Sequence, residues 1–444
     1  MSSNNQYSLL IQRRFGPFFL TQFLGAFNDN VFKNALLLML AFQFTDEFDL
    51  STDTLINLSA GLFILPFFFL SATAGQLADK YDKAHLIRMI KLMEIVIMLL
   101  AAIALWQQNL FALIALLFLM GVQSSLFGPA KYGILPQLLD RRELLGGNGL
   151  IETGTFLAIL LGTALGAILI GIEETGRLFV AVIVVVIACA GYLSSRAMPA
   201  EPAIAPDLTI NWNPITETTR VLRYACQSRI IFLSIIGISW FWFIGALYVA
   251  QLPNFSRLFL GGNEQVVALL LSIFSIGVSL GALMCERLSG RQINIGLVPC
   301  GSIGLIVFGL DLALQPSIFF DGNLLGAMDW SRQPGAWRVA LDIFFLGSFA
   351  GIYIVPLYAS IQQRSDPKYR ARVIAANNIL NALFMVLAST LAIVFLAAGF
   401  SIPELFLLVA ILNGIVALCV YSLAPEFIDS FLSWARIGRK KNGS

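Results

Sequence analysis

The sequence predicts an all-α integral membrane protein with twelve transmembrane helices in two six-helix halves. Composition, long apolar runs and the placement of basic residues support this prediction. Of the 444 residues, 58% are hydrophobic and 12% are charged, whereas soluble domains carry about 25% charged residues. The net charge of +2, with no basic patch interleaved with aromatic residues, gives no indication of a nucleic-acid partner.

Twelve segments are long and apolar enough to cross a bilayer. A spanning helix needs about 20 residues, because the hydrocarbon core is about 30 Å thick and a helix rises 1.5 Å per residue. The limits are 15–44, 53–78, 85–106, 109–130, 144–171, 176–198, 230–256, 264–287, 294–314, 337–362, 373–398 and 403–424. The first run is too long for a cleavable signal peptide.

The basic residues predict that both termini are cytoplasmic. With the N-terminus inside, 23 Lys and Arg residues, among them Lys80 and Lys91, fall on the cytoplasmic side and 4 on the other. Lys33, within the first span, completes the 28. An excess of Lys and Arg in short loops marks the cytoplasmic face. We therefore expect a multi-pass protein of the bacterial inner membrane, surrounded by membrane lipids.

The chain divides by composition into four parts. These are an N-terminal six-helix bundle (1–198), a cytoplasmic linker (199–229), a C-terminal six-helix bundle (230–424) and a basic cytoplasmic tail (425–444). The prolines in "EPAIAPDLTINWNP" exclude a continuous helix there. The following "ITETTRVLRYACQSR" is amphipathic and basic, which predicts a short helix at the membrane surface.

The first helix carries polar residues in the middle of an apolar run. Asn28, Asp29, Asn30 and Lys33 interrupt "QFLGAFNDNVFKNALLLML". An ionisable group inside a span costs at least a few kcal/mol, so it faces a partner or a cavity. Asp29 and Lys33 are four residues apart and share a face. They either contact a substrate or coupling ion, or neutralise each other.

Polar residues recur near the start of the fifth helix of each half. Asn148 and Glu152 follow one basic loop, and Asn377 and Asn381 follow the corresponding loop of the second half. This repetition suggests a duplication, which places a binding site between the halves near the midplane. We expect these four residues to bind substrate or a coupling ion.

Lys131 is a further candidate for the same site. Gly128 and Pro129 precede it and predict a break in the fourth helix near the cytoplasmic boundary. Lys131 either extends its ammonium to the membrane surface or pairs with Glu152 or a lipid phosphate.

Aromatic residues are concentrated in the seventh span. Packing between helices or against lipid is the default role of such rings. The alternative is a cavity for an acyl chain, with these candidates: Phe27, Trp240, Trp242, Phe243 and Tyr248. We found no phosphate-binding loop, metal-site pattern or nucleophile motif, so we expect no enzyme activity, metal or cofactor. A proton or sodium ion could couple only through Asp29 or Glu152.

The loop "GQLADKYDK" between the second and third spans carries Gly75, Asp79 and Lys80. It resembles the gating-loop motif of the major facilitator superfamily, although a generic basic turn is the alternative. The corresponding stretch of the second half has Cys285 where the motif has an acid. A charged latch between the halves is therefore expected from the first copy only.

Three further stretches, "QFLGAFNDNVFKNAL", "GPAKYGILPQL" and "NGLIETGTFLAILLGTALG", together resemble the bacterial lysophospholipid transporters of that superfamily. They are similar to the transporter part of fusions with acyl-ACP synthetase/acyltransferase. The resemblance implies the major facilitator fold, and site roles for Asp29, Lys131 and Glu152. Some relatives carry an arginine in the seventh helix, whose centre has none here.

The resemblance implies an alternating-access flippase. It would move lysophospholipids such as lysophosphatidylethanolamine from the outer to the inner leaflet of the inner membrane for reacylation. A separate acyl-ACP synthetase/acyltransferase would be the partner. The alternative is a major facilitator exporter of a drug, siderophore or other amphiphile.

Overall fold

The computed structural model describes residues 5–42, 52–316 and 323–441, in which the long elements are α-helices. They are α1 (Gly16–Phe42), α2 (Thr52–Lys80), α3 (Lys83–Gln107), α4 (Leu110–Leu138), α5 (Leu144–Ile170), α6 (Gly176–Arg196), α7 (Pro214–Cys226), α8 (Arg229–Phe259), α9 (Glu264–Leu288), α10 (Leu297–Ala313), α11 (Ala327–Ser331), α12 (Ala336–Arg364), α13 (Arg370–Ala397), α14 (Ile402–Leu423) and α15 (Glu426–Lys441).

Twelve of these helices correspond to the predicted spans. Ten in the described ranges are long and apolar enough to cross a membrane, and α10 is a shorter apolar helix of 17 residues. The twelfth, α1, has 27 residues, but amide and charged side chains interrupt its apolar sequence. The predicted all-α, multi-pass fold is confirmed.

The predicted break in the fourth span is wrong. α4 continues through Pro129 and Pro136 to Leu138. A proline removes one backbone hydrogen bond, but packed neighbouring helices and local adjustments make it tolerable in a spanning helix. Lys131 therefore lies within a continuous helix.

Side-chain caps fix the start of several helices. Asp82 Oδ1 accepts hydrogen bonds from the backbone N–H of Ala84 and His85 at the start of α3. Ser401 and Glu404 form a reciprocal capping box at the start of α14. Such caps satisfy the backbone donors that a helix leaves open at its first turn.

Packing groups the chain into two compact units. The first contains residues 1–140, 157–228 and 362–382, and the second contains 141–156, 229–361 and 383–444. The first turns of α5 thus belong to the second unit, and the first turns of α13 belong to the first. The predicted division of the chain into two six-helix bundles, a linker and a tail therefore stays a prediction.

Glycines allow close helix packing inside the first unit. A Cβ at Gly162 would lie 2.5 Å from the carbonyl oxygen of Phe27, and one at Gly166 would lie 2.6 Å from that of Val31. Only glycine lets the α1 and α5 backbones approach this closely. The core of this unit includes the buried side chains of Phe32, Leu36 and Met98.

The second unit uses the same device between α9 and α12. A Cβ at Gly277 or Gly281 would collide with the backbone of α12, and one at Gly347 would collide with that of α9. At the end of this unit, Trp434 Nε1 of α15 donates a hydrogen bond to the carbonyl oxygen of Leu288 at 2.6 Å. The tail helix is thereby held against the end of α9.

The segment before α7 is attached to the end of α2. Gln76 Nε2 donates to the carbonyl oxygen of Asn211 at 2.9 Å, and Gln76 Oε1 accepts from Asn211 N at 2.8 Å. Ala205 N donates to the carbonyl oxygen of Asp79 at 2.9 Å. The linker therefore packs on the helix that carries the gating-loop motif.

Candidate functional site

The two charges of α1 have separate surroundings. Ser124 Oγ of α4 donates a hydrogen bond to Asp29 Oδ2 at 2.9 Å, whereas Lys33 Nζ lies 5.8 Å from the centroid of the Phe63 ring. Asp29 Oδ1 is buried and accepts no hydrogen bond within the described residues. This oxygen is therefore available to a donor on a ligand.

A second pair of buried charges lies beside Asp29, on α3. Lys91 Nζ donates to Glu94 Oε2 at 2.6 Å, and the two side chains are 0% and 2% exposed. Asn28 Nδ2 and Gln123 Nε2 also donate to Glu94, at 3.1 and 3.0 Å. Glu94 is thus a well-satisfied carboxylate, whereas Asp29 receives a single side-chain donor. Of these two acids, Asp29 is the one open to a new partner.

The surroundings of Lys91 are shaped to hold its ammonium. A Cβ at Gly25 would overlap Lys91 Nζ, and one at Gly191 would lie 3.7 Å from it. The ring of Phe127 lies 5.4 Å from the same nitrogen. Glycine at position 25 leaves the room that the ammonium occupies, and a larger residue there would displace the end of the lysine side chain.

This ion pair was not predicted from the sequence, where Lys91 was counted only among the basic residues on the cytoplasmic side. Lys91 is fully buried inside α3 (Lys83–Gln107). The signal was present in the sequence: Lys91 and Glu94 are three residues apart in an apolar run, the spacing of an intrahelical pair.

The other polar residues of α1 form hydrogen bonds to α1 itself and to α5. Asn30 Nδ2 donates to the carbonyl oxygen of Ala26 at 2.7 Å. Asn34 Nδ2 donates to the carbonyl oxygen of Asn30 at 2.8 Å and to Thr163 Oγ1 of α5 at 3.0 Å. These amides stabilise α1 and its contact with α5. The ring of Phe27 stacks on Phe23, with centroids 6.1 Å apart.

The first turns of α5 carry the predicted polar pair in the second unit. Asn148 Nδ2 donates to the carbonyl oxygen of Leu144 at 2.8 Å, and Glu152 is fully buried. Thr153 Oγ1 donates to the carbonyl oxygen of Ser279 at 3.1 Å, which holds this segment on α9. Glu152 therefore has a fixed position in the unit.

Phe156 lies one helical turn after Glu152. Its ring makes edge contacts with Phe241 of α8 and Phe274 of α9, at centroid distances of 6.1 and 6.5 Å. Both contacted rings border a small, partly open apolar cavity. The cavity is lined by Phe241, Ile244, Gly245, Tyr248, Phe274, Leu305, Leu346 and Ala350.

Of the predicted aromatic candidates in α8, Tyr248 lines this cavity. Trp240 Nε1 instead donates to Asn413 Oδ1 of α14 at 2.9 Å, and its ring stacks on Phe243 at 4.7 Å. Trp242 makes an edge contact with Phe241 at 5.5 Å. Trp240 and Phe243 therefore belong to the packing of α8 against α14.

The gating-loop motif contacts the start of α13 inside the first unit. Asp79 accepts hydrogen bonds from the backbone N–H of Ala371 at 3.1 Å and of Arg372 at 3.4 Å. Arg372 Nε also donates to Asp79 Oδ2 at 3.0 Å. A Cβ at Gly75 would lie 2.8 Å from that of Ala375, so glycine allows the approach. Lys80 lies over the ring of Tyr81 instead.

The remaining predicted residues lie near these contacts or on neighbouring turns. Neither polar atom of the Asn377 side chain, which is 1% exposed, has a hydrogen-bond partner in the described part of the chain. Asn381 is buried. Lys131 is buried too, with its ammonium 5.0 Å from the centroid of the Tyr132 ring. The Asn377 amide is a donor and acceptor open to water or a ligand.

The structure thus sorts the predicted residues into two groups. Asn28, Asp29, Asn30, Lys33, Lys131, Asn377 and Asn381 lie in the first unit, and Asn148 and Glu152 lie in the second. The predicted set lacks Lys91, Glu94, Gln123, Ser124 and Arg372 in the first unit, and Phe156, Phe241 and Phe274 in the second.

Helices that are long and apolar enough to cross a membrane and that bury charged side chains are typical of polytopic membrane transporters. The chain belongs to the Major Facilitator Superfamily, whose family model matches residues 18–328. This assignment agrees with the twelve-helix fold and confirms the superfamily resemblance.

Curated relatives align over most of the chain. Proteins named lysophospholipid transporter LplT from Cronobacter sakazakii and Klebsiella pneumoniae are each 27% identical, over 86% of this chain and 88% of their own length. The protein of that name from an Enterobacter species is 26% identical over 81% of this chain and 82% of its own.

Solved structures share the fold at low identity. A variant of the Escherichia coli fucose:proton symporter matches with a TM-score of 0.67 and 12% identity, over 93% of this chain and 100% of its own. The human organic anion transporter MFSD10 matches with a TM-score of 0.66 and 14% identity, over 95% and 99%.

Proposed function

We propose that this protein is an alternating-access flippase for lysophospholipids, such as lysophosphatidylethanolamine. One observation carries the proposal: a fully buried acid, Glu152, lies one helical turn from Phe156, whose ring contacts two walls of an apolar cavity. A polar group beside an apolar cavity complements an amphiphile with one acyl chain. The names of the curated relatives support a lysophospholipid as that amphiphile.

The head group binds the charged residues of α1. Asp29 Oδ1 has no donor among the described residues, so it accepts hydrogen bonds from an ammonium. Lys33 faces a phenylalanine ring, and its charge suits a phosphate. Glu94 of α3 accepts hydrogen bonds from Asn28 of α1 and Gln123 of α4, which hold α3 and α4 against this stripe. Asp29 and Lys33 together therefore complement the positive and the negative charge of a zwitterionic head group.

The direction of transport is from the outer to the inner leaflet of the bacterial inner membrane. The excess of Lys and Arg on one side supports cytoplasmic termini. A separate acyl-ACP synthetase/acyltransferase consumes the lysophospholipid there and keeps the gradient downhill. Alternatively, transport is coupled to a proton or sodium ion that binds at Asp29 or Glu152.

The bonds of Asp79 to Arg372 and to the first turn of α13 form the latch of the transport cycle. Their side chains are 0% and 8% exposed, so water screens the pair little. Substrate shifts the conformational equilibrium only if it binds the two states with different affinity. The latch therefore has to open when loaded substrate favours the alternative state.

Reconstitution tests this proposal. Vesicles with purified protein receive labelled lysophosphatidylethanolamine, and albumin extraction reports how much leaves the outer leaflet. We expect faster movement than in protein-free vesicles, and a loss of at least roughly 10-fold, or 1.4 kcal/mol, in Asp29→Asn and in Glu152→Gln. Asp329→Asn, at an exposed acid of α11, is the matched control and keeps the wild-type rate.

The outcomes separate function from site. A wild type that moves no lysophospholipid contradicts the proposed function. Wild-type rates in Asp29→Asn and Glu152→Gln contradict the site while leaving the function intact. Running the assay with and without proton and sodium gradients decides between ion coupling and downhill flipping.

A further inference from the structure

We infer that the exposed basic face of α7 binds an anionic lipid surface and that this contact holds the latch at Asp79 and Arg372 closed. The inference rests on the latch of the proposed function but not on its substrate. Three observations carry it: the attachment of α7 at both ends, the charge of its exposed face, and a stack of side chains that joins it to the latch.

Both ends of α7 are attached close to the ends of membrane-crossing helices. Before the helix, Asn211 exchanges two hydrogen bonds, of 2.9 and 2.8 Å, with the side chain of Gln76 near the end of α2. After it, α8 begins at Arg229, three residues beyond the last residue of α7, and three residues span at most about 11 Å. The 13 residues of α7 therefore stay close to the membrane surface.

One face of α7 is buried, and the opposite face is exposed and positively charged. Glu217, Val221 and Ala225, at four-residue spacing, form the buried face. Glu217 is the single acid in the sequence of the helix. Arg220 and Arg223 are exposed. The exposed face of α7 thus carries two positive charges and no acid, which complements a layer of anionic head groups.

Two exposed apolar side chains border the basic face. Trp212, just before the helix, is 70% exposed, and Ile215 in its first turn is 74% exposed. Ile215 and Arg223 lie about 80° apart around the helix axis. Helices that lie in the membrane interface bury apolar side chains at the head-group boundary and keep basic ones beside the phosphates, and tryptophan favours this depth. An anionic lipid layer therefore takes up both kinds of side chain.

A stack of side chains joins α7 to the latch. The ring of Tyr224, in α7, stacks on that of Tyr369, with centroids 4.4 Å apart and planes inclined by 16°. The guanidinium carbon of Arg372 lies 4.1 Å from the centroid of the Tyr369 ring, which is a cation–π contact. Arg372 Nε in turn donates to Asp79 Oδ2. Tyr369 therefore contacts both α7 and the cation of the latch.

Lipid bound to α7 favours the closed latch because the two are linked. When α7 is held on the membrane surface, opening the latch has to separate Tyr369 from Tyr224 or pull α7 away from the lipid. A ligand shifts an equilibrium by its difference in affinity for the two states. Each arginine near an anionic surface contributes about fivefold to binding, so Arg220 and Arg223 together allow a shift of up to roughly 25-fold.

Hydrogen exchange of the full-length protein tests the inference. It is measured in vesicles of phosphatidylcholine alone and of equal parts phosphatidylcholine and phosphatidylglycerol, without lysophospholipid. We expect phosphatidylglycerol to slow exchange of α7 and of the first turns of α13 at least roughly threefold. Salt at about 1 M, where the Debye length is about 3 Å, should remove the difference.

The arginine variants show whether the basic face is responsible. Arg220→Gln/Arg223→Gln should lose the lipid effect in both segments. Arg141→Gln/Arg142→Gln, at two exposed arginines outside α7, is the matched control and should keep it. An anionic surface also concentrates protons and slows exchange generally, so the effect is the excess over Arg220→Gln/Arg223→Gln in the same vesicles. No excess at α7, or its loss in the control, overturns the inference.

The tyrosine variants test the connection to the latch. Tyr224→Ala should keep the lipid effect in α7 and lose it in α13, whereas Tyr224→Phe keeps the ring and should keep both. A wild-type lipid effect at α13 in Tyr224→Ala overturns the proposed coupling. Equal protection of α7 by soluble polyglutamate in phosphatidylcholine vesicles would indicate an acidic protein partner and overturn the lipid assignment.

The outcome is independent of lysophospholipid transport, because exchange is measured without that substrate. If the wild type moves no lysophospholipid but shows the lipid effect, the proposed flippase function is wrong and the inference about α7 stands. If it moves lysophospholipid without the lipid effect, the reverse holds.

Discussion

The two units of this protein differ in the chemistry they bury, although both contain a buried acid. The first holds a charged network of α1, α3 and α4 in which Lys91, Glu94 and Asn28 are almost wholly inaccessible to solvent. The second holds an apolar cavity lined by side chains of α8, α9, α10 and α12.

The difference predicts how each unit responds to substitution. A buried charge depends on its partner, and removing one member of a pair leaves the other uncompensated. A change in an apolar wall strands no polar group, so its cost is one of packing. Changes in the charged network should therefore reduce stability and transport together.

The largest expected effect is loss of the buried ion pair. Lys91→Met leaves Glu94 without its cation and should lower the free energy of unfolding by about 3–5 kcal/mol, measured by chemical unfolding in detergent micelles. The double variant Lys91→Met/Glu94→Gln removes both charges and should recover much of the loss. Arg332→Met, which removes an exposed pairing with Asp329, is the control. Wild-type stability in Lys91→Met would mean that the pair is not buried.

Next in size is the latch. Asp79→Ala removes the acceptor for Arg372 and for two backbone donors at the start of α13. Hydrogen bonds to charged groups contribute about 1.5–3 kcal/mol, which is roughly 10- to 150-fold in an opening equilibrium. Hydrogen exchange of peptides covering the first turns of α13 should speed up accordingly.

Lys80 supplies the comparison for the latch. It belongs to the same loop motif but lies over Tyr81, so Lys80→Met should leave the exchange of α13 unchanged. Equal acceleration in both variants would show that general loosening of the loop, rather than the loss of Asp79, is responsible.

The smallest expected effect concerns the contact of α1 with α5. Thr163→Val removes the acceptor of the Asn34 amide at nearly constant side-chain shape. It should lower the free energy of unfolding, measured by chemical unfolding in detergent micelles, by about 0.6 kcal/mol, the mean for hydrogen bonds between membrane helices. Thr390→Val removes a hydroxyl that bonds to its own helix at Val386 and serves as the control. If Thr163→Val lowered the free energy of unfolding by more than Lys91→Met does, the proposed order of these two effects would be wrong.

Sequence was sufficient for the fold because hydropathy is a local property. Runs of apolar residues located the spans, and the Asn28–Lys33 stripe identified the unusual helix. The partner of Asp79 could not be predicted in this way: Arg372 lies 293 residues away in the chain, and no local pattern connects them. The continuation of α4 past Pro129 was not predicted, because packing against neighbouring helices makes a proline tolerable there and a local sequence rule does not include this packing.

The aromatic residues of α8 show a second limit. Successive side chains of a helix point about 100° apart, so consecutive rings in "SWFWF" face different neighbours. Trp240 packs on α14, whereas Phe241 lines the cavity. The choice depends on the rotation of the helix within the bundle, which the whole set of neighbouring helices determines. The sequence of α8 alone does not determine this rotation.

The most direct test of the proposed transport is the initial rate at which labelled lysophosphatidylethanolamine becomes resistant to albumin extraction in reconstituted vesicles. The wild type should exceed the rate of protein-free vesicles, and Asp29→Asn should lose this excess. A wild-type rate equal to that of protein-free vesicles would contradict the proposed function.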